Sequence, residues 1–211
     1  MDQTMLVAGT AVLVREGPHG PEVLLIRRPD RGSFAGAWVF PGGIVEPADT
    51  HADATEVDNA SRAAVRETME EVGLQISGLT TLSRWTPPVE APKRVRTWFF
   101  LASDVRGEIT PAPDEVAQWR WMRPADALAA HGEDEIRLFP PTWVTLHSLV
   151  DALSLDPALR VSSDTQHYST HIVTAPDGQT FVWEGDAEHP EGGSGRHRLE
   201  TSRRPWIYLR D

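Results

Sequence analysis

Short apolar runs, broken by glycine, proline and acidic residues, make up most of the chain. MLVAGTAVLV (5–14) is largely apolar, GPHGPE interrupts it, and VLLIRR (23–28) resumes it, which predicts a hairpin. PDRGSFAGAW reads as a loop, VFPGGIVEPAD as a short strand running into a Pro-Gly-Gly break, and THADATEVDN as an acidic loop. LQISGLTTLSRW and RVRTWFFLASD (94–104) predict two further strands, and WRWM (119–122) a short one. PADALAAH places proline at a helix start. PPTWVTLHSLVDAL (140–153) carries Leu146, Leu149, Val150 and Leu153 at helical spacing. From about residue 156 the character changes. HIVTAPDGQTFVWEG predicts a hairpin closed at Pro176-Asp177-Gly178, EHPEGGSG a loop, and HRLETSRRPWIYLRD a final hairpin. The expected organisation is a main domain over 1–155 and a short β-rich C-terminal extension over 156–211, packed on it.

The stretch AAVRETMEEVGL (63–74) stands apart, with Glu67, Glu70 and Glu71 crowded before Gly73. Asp58, Asn59 and Ser61 are acceptable N-caps, so a helix should start near 58–61. It should end at Gly73, a good residue to follow a helix. At about 100° per residue, the spacings i, i+3 and i+4 put all three carboxylates on one face. Like charges so placed destabilise a helix by a few tenths of a kcal/mol. Either the face looks at water, as charged helix faces commonly do, or something positive belongs there. Hard cations such as Mg²⁺ and Mn²⁺ take several oxygen ligands, which three carboxylates on one face offer. A cation there would bridge a diphosphate and activate a water whose proton a glutamate accepts.

Composition narrows the classes. The chain has 211 residues, 40% hydrophobic and 24% charged, ordinary for a globular protein with a real core. No stretch approaches the apolar length of a membrane span. The N-terminal segment reads as a strand rather than a signal peptide, and there is no cysteine, so a cytosolic location is expected. A net charge of −11 argues against a general nucleic-acid surface, which needs clustered Lys and Arg. It leaves room for a small nucleotide held through a metal ion.

Arg66-Glu67-x-x-Glu70-Glu71-x-Gly73, followed by Leu74 and preceded by Phe40-Pro41-Gly42-Gly43, resembles the Nudix hydrolase signature. Two features depart from it. Asp49, six residues after Gly43, stands where glutamate is usual, and the interval to Arg66 is lengthened. A loop insertion costs little closure entropy, so the helix keeps its place. The resemblance implies an α+β fold, an α/β/α sandwich around a mixed sheet. It also implies Glu67, Glu70 and Glu71 as ligands of Mg²⁺ or Mn²⁺, a backbone carbonyl near Gly43 as another, and Arg66 holding the glutamates. Glu115 lies where many Nudix proteins keep an acid near the metals, although it also reads as a surface acid. Arg28 and Arg31, with Arg27, are candidates for substrate phosphates or solvated strand-end charges. Trp38, like Trp85 and Trp98, is a base-stacking candidate or a core residue. The lengthened signature, LSRWTPPVEAPKRVRTWFFLA and the Pro-Pro-Thr helix resemble the branch with peroxisomal coenzyme A diphosphatases.

The expected activity is cleavage of the diphosphate bond in a small nucleoside diphosphate linked to another moiety, coenzyme A or an acyl derivative first. ADP-ribose, NADH and dinucleoside polyphosphates follow, and a nucleotide-binding regulator without turnover is the reading from a different class. No nucleic acid or membrane partner is expected. A homodimer through the C-terminal extension is a further reading.

Overall fold

The computed structural model describes residues 5–32, 34–155, 165–176 and 178–211. Asp177 of the anticipated turn and residues 156–164 of the extension lie outside them. The elements in chain order are β1 (Leu6–Gly17), β2 (Gly20–Arg27), β3 (Trp38–Val39), β4 (Gly42–Ile44), a 3₁₀ turn (Pro47–Asp49) and α1 (Glu56–Val72). Then come β5 (Gln75–Thr86), β6 (Val95–Arg106), β7 (Gln118–Met122), α2 (Pro124–Gly132) and α3 (Pro140–Leu155). The C-terminal part supplies β8 (Gln166–Ser169), β9 (His171–Ala175), β10 (Gly178–Val182), β11 (Gly185–Asp186), β12 (Gly193–Gly195), β13 (His197–Glu200) and β14 (Ile207–Arg210).

An eight-stranded mixed sheet runs β3-β2-β1-β6-β5-β8, with β4 also on β1 and β7 on β2. β1 pairs β6 and β5 pairs β8 in parallel; the other ladders of this sheet are antiparallel. Side chains alternate across the sheet. Ala11, Leu13, Leu24, Ile26, Phe100 and Ala102 face α1. Val12, Val23, Leu25, Phe99 and Leu101 face the other way, toward Ala127 of α2 and Trp143, Leu146 and Leu149 of α3. This is the expected α+β sandwich with a mixed sheet.

Two boundaries differ from expectation. The hairpin strands run on to Gly17 and from Gly20, so GPHGPE is mostly strand and the turn is tighter. Helix α1 begins earlier than 58–61, because its N-cap is Thr55. The Thr55 hydroxyl accepts the Asp58 N–H (3.3 Å) and the Asp58 carboxylate accepts the Thr55 N–H (2.9 Å). Thr-x-x-Asp thus closes a reciprocal capping box, and Asp58 is its third helical residue rather than its cap. The helix ends at Gly73 in the left-handed conformation (φ 72°). It crosses β1 where Gly9 leaves no side chain: a Cβ there would lie 1.8 Å from the Ala60 carbonyl oxygen.

β8 extends the main sheet beside β5, and β9, β10, β13 and β14 form a separate four-stranded antiparallel sheet. Both anticipated C-terminal strand pairs form, β9 with β10 and β13 with β14. Tyr168 stacks on Trp85 at 3.9 Å and 3°, Trp183 meets both edge-on, and Leu199 joins the same cluster. The face of the sheet that carries α3 is therefore filled by aromatic groups from both sequence halves.

A buried ion pair holds this second sheet. Asp186 is fully buried and accepts from Arg198 Nε (2.8 Å) and Nη2 (2.5 Å), and from the His197 (2.8 Å) and Glu188 (2.9 Å) N–H groups. Burial alone would raise the carboxyl, but Arg198 and the two backbone donors hold it at about 2, against an ordinary 3.8. An acid depressed on folding contributes stability above its unfolded pKa, and that contribution disappears as pH falls from about 4 to about 2. Thermal melts of Asp186→Asn should therefore start about 1–2 kcal/mol less stable at pH 7 and converge on wild type by pH 2. A constant gap across that range would contradict the assignment.

Candidate active site

Helix α1 brings the signature acids to the sheet. Its buried side is Ala60, Ala63, Ala64, Thr68, Glu71 and Val72, so one carboxylate falls within an otherwise small and apolar stripe. Glu71 is 1% exposed. One of its oxygens accepts the Gly42 N–H at 2.9 Å and the other accepts from Arg28. Burial pushes its carboxyl up to about 7, and the nearby charges of Glu67 and Glu115 add to the shift. The Gly42 N–H and Arg28 oppose it.

Glu67 lies one turn earlier, and burial raises its carboxyl as well. Gly43 makes room for it: a Cβ there would stand 2.1 Å from Glu67 Oε1. Glu115 arrives from the segment between β6 and β7. The Thr110 N–H bonds the Val72 carbonyl (2.8 Å) and the Ala112 N–H the Glu71 carbonyl (2.9 Å), so this segment caps the C-terminal end of α1. One carboxylate oxygen each of Glu67, Glu71 and Glu115 lie within 4.8 Å of one another.

Glu70 is placed differently. Its carboxylate is 54% exposed and takes a 2.7 Å hydrogen bond from Arg66 Nη1. Arg66 is a hub: it also donates to Glu67 (3.0 Å), Asp49 (2.9 Å from Nη2) and the Ile44 carbonyl (3.0 Å). Asp49 is buried. Burial alone would raise its carboxyl, but Arg66 and the Glu46 N–H hold it below the usual range. Asp49 thus locks Arg66 and lies outside the carboxylate cluster.

Arg28 is at the cluster through Glu71. Arg31 is mostly exposed and bonds Asp114, the neighbour of Glu115 (3.1 Å to its carbonyl). Arg27 turns aside to Asp30 (2.6 Å). Trp38 is 3% exposed in the α3-side core with Arg120 over its ring, so it presents no open face. Trp85 is likewise core, and Trp98 donates to Glu56 at the start of α1 (2.8 Å). The sequence gives no spacing signal for Arg28 meeting Glu71 or for Glu115 joining the cluster, because both contacts are set by the fold.

A model of the NUDIX domain matches residues 5–144. The chain belongs to the Nudix hydrolase family. An 8-oxo-dGTP diphosphatase of Proteus vulgaris is 30% identical over 89 residues, covering 42% of this chain and 70% of that protein. An RNA pyrophosphohydrolase of Dinoroseobacter shibae is 28% identical over 110 residues, covering 44% of this chain and 63% of that protein. The chain thus spans less than two thirds of this second relative. The crystal structure of a Nudix hydrolase from Alicyclobacillus acidocaldarius matches the fold with a TM-score of 0.62 at 23% identity, over 71% of this chain and 93% of that one.

Nudix enzymes use divalent metal ions, and the donor set here fits one. Three carboxylate oxygens converge, and burial raises two of their carboxyls despite the guanidinium groups of Arg66 and Arg28 beside them. Among the described residues no helix is long and apolar enough to cross a membrane. A cation held by Glu71 would have to displace its proton below about pH 7. Mn²⁺ affinity, read by electron paramagnetic resonance, should fall about tenfold per pH unit as pH drops from 7 to 5. A flat affinity over that range would show that no protonated Glu71 has to give up its proton to the cation.

Proposed function

We propose that this Nudix hydrolase uses Mg²⁺ or Mn²⁺ to cleave the diphosphate bond of a nucleoside diphosphate linked to another moiety. Coenzyme A and its acyl derivatives are the first candidates. The observation that carries this reading is the convergence of Glu67, Glu71 and Glu115 beside Arg28. Both relatives are named as diphosphate- or pyrophosphate-cleaving enzymes, which supports the bond class.

In this reading Glu67, Glu71 and Glu115 hold the cation, with Glu70 at the rim and the Gly43 backbone beside them. When bound, the cation neutralises phosphate charge and lowers the pKa of an attacking water. The chain's own residues do the rest. Arg28 and Arg31 orient the phosphates, since guanidinium groups match phosphate oxygens. Arg66 is a positioning residue: it fixes Glu67 and Glu70 while Asp49 and the Ile44 carbonyl fix it in turn. A glutamate of this cluster accepts the water's proton. We take 1–155 as the catalytic domain and 156–211 as an extension whose residues Tyr168, Trp183 and Leu199 pack on its α3 face.

The test is phosphate release, after coupled phosphatase treatment, from coenzyme A, acyl-coenzyme A, ADP-ribose, NADH, dinucleoside polyphosphates and 8-oxo-dGTP, each with Mg²⁺, Mn²⁺ or EDTA. Metal-dependent release from coenzyme A compounds is expected; release from another class alone would move the substrate assignment there. Glu71→Gln and Glu67→Gln should each lower kcat about a hundredfold or more with unchanged circular dichroism. Wild-type rates in either would overturn the site.

A further inference from the structure

An open hollow of about 390 Å³ lies on the α1 face of the sheet, beyond the C-terminal end of that helix. Arg15, Val105, Glu108, Ile109, Trp119 and Trp121 are among the residues that line it. Its volume falls within the ~300–1,000 Å³ of small-molecule clefts. Trp119 is 41% exposed, an unusual state for the largest apolar side chain.

The register of β2 orders the surrounding groups. Arg15 lies opposite Glu22, Trp121 opposite Leu24 and Trp119 opposite Ile26, and Arg28 follows two residues on. These alternate positions share one face. They make a row of cation, indole, indole and cation that ends at the Glu71 carboxylate. Arg15 lies 4.5 Å above the Trp121 ring, and its place in the register puts it on the side away from Trp119. Glu22 neutralises it through 2.7 and 2.9 Å bonds, so the hollow is no anion site. Residues two apart on a strand stand roughly 6.6–6.8 Å apart. Two parallel rings at that separation take one flat ring between them. Glu108 at the rim offers acceptors to a ring amino group.

We propose that this hollow takes the planar heteroaromatic ring of the substrate, a purine of its nucleoside, stacked between Trp119 and Trp121. The diphosphate then runs past Arg28 to the carboxylates. On the α3 face Trp143, Tyr168, Trp183 and Leu199 pack against one another in the core. The inference rests on the diphosphatase reading for its substrate, but its ring-binding part stands separately.

The experiment separates the two. Protein labelled with 5-fluorotryptophan is titrated with AMP and with GMP without metal, and the ¹⁹F resonances of Trp119 and Trp121 are assigned from Trp119→Phe and Trp121→Phe. Saturable shifts of those two resonances are expected even if no substrate in the panel is hydrolysed. Shifts confined to other tryptophans, or none at millimolar nucleotide, would overturn the proposal. With any hydrolysed nucleotide, Trp119→Ala should raise KM about tenfold or more with kcat little changed, and Trp119→Phe should restore most of the loss. An unchanged KM in Trp119→Ala, with wild type active, would sink the stacking role and leave the diphosphatase reading intact.

Discussion

The close approach of α1 to β1 governs the rest of the molecule. Gly9 removes the one side chain that would hold the helix off, and Ala60, Ala63 and Ala64 give it a thin buried stripe. Helix packing distance depends on the side chains at the contact, and here they are nearly absent. The helix therefore lies low enough for Glu71, which continues that stripe, to reach the Gly42 N–H. A carboxylate so deeply placed needs opposite charge or a proton. Arg28, the Gly42 N–H and the raised pKa are the answers within the chain, and a divalent cation is the remaining one.

Around that fixed point the site is organised in layers of constraint. Gly43 leaves space for Glu67, Arg66 donates to both Glu67 and Glu70, and Asp49 with the Ile44 carbonyl holds Arg66. The substitution of aspartate for the usual glutamate at 49 has a structural reading: Asp49 accepts the Glu46 N–H (2.8 Å) across the 3₁₀ turn, while still reaching Arg66. The loop that lengthens the signature ends in the Thr55–Asp58 capping box, which restarts the helix in a defined register after the insertion. The loop's length is thereby decoupled from the position of the glutamates.

The opposite face follows another logic. Residues from 166 onward place Tyr168, Trp183 and Leu199 against Trp85 and Trp143. Aromatic pairs with stacked and edge-on geometry give that face a dry, rigid interior. The carboxylates lie on the other side of the sheet, with α1, where Arg28 pairs with Glu71.

The sequence alone determined the elements whose causes are local. Apolar runs and turn residues gave most strands and the helices but not β8, β11 or β12; Gly73 gave the helix end, and i, i+3, i+4 spacing set Glu67, Glu70 and Glu71 on one side of α1. It misplaced the helix start because several capping residues competed, and the reciprocal Thr-x-x-Asp pair outranks a lone Asp or Ser. Tertiary structure alone decided how the three glutamates divide. Helical spacing cannot say which side of an arc is buried; docking on Gly9 sank Glu71, left Glu70 on Arg66 and brought Glu115 from 44 residues further along the chain to Glu71. Tertiary structure likewise buried Trp38 and exposed Trp119. Both are tryptophans in short strands, and only the strand neighbours and the layers above them distinguish a core ring from an open one.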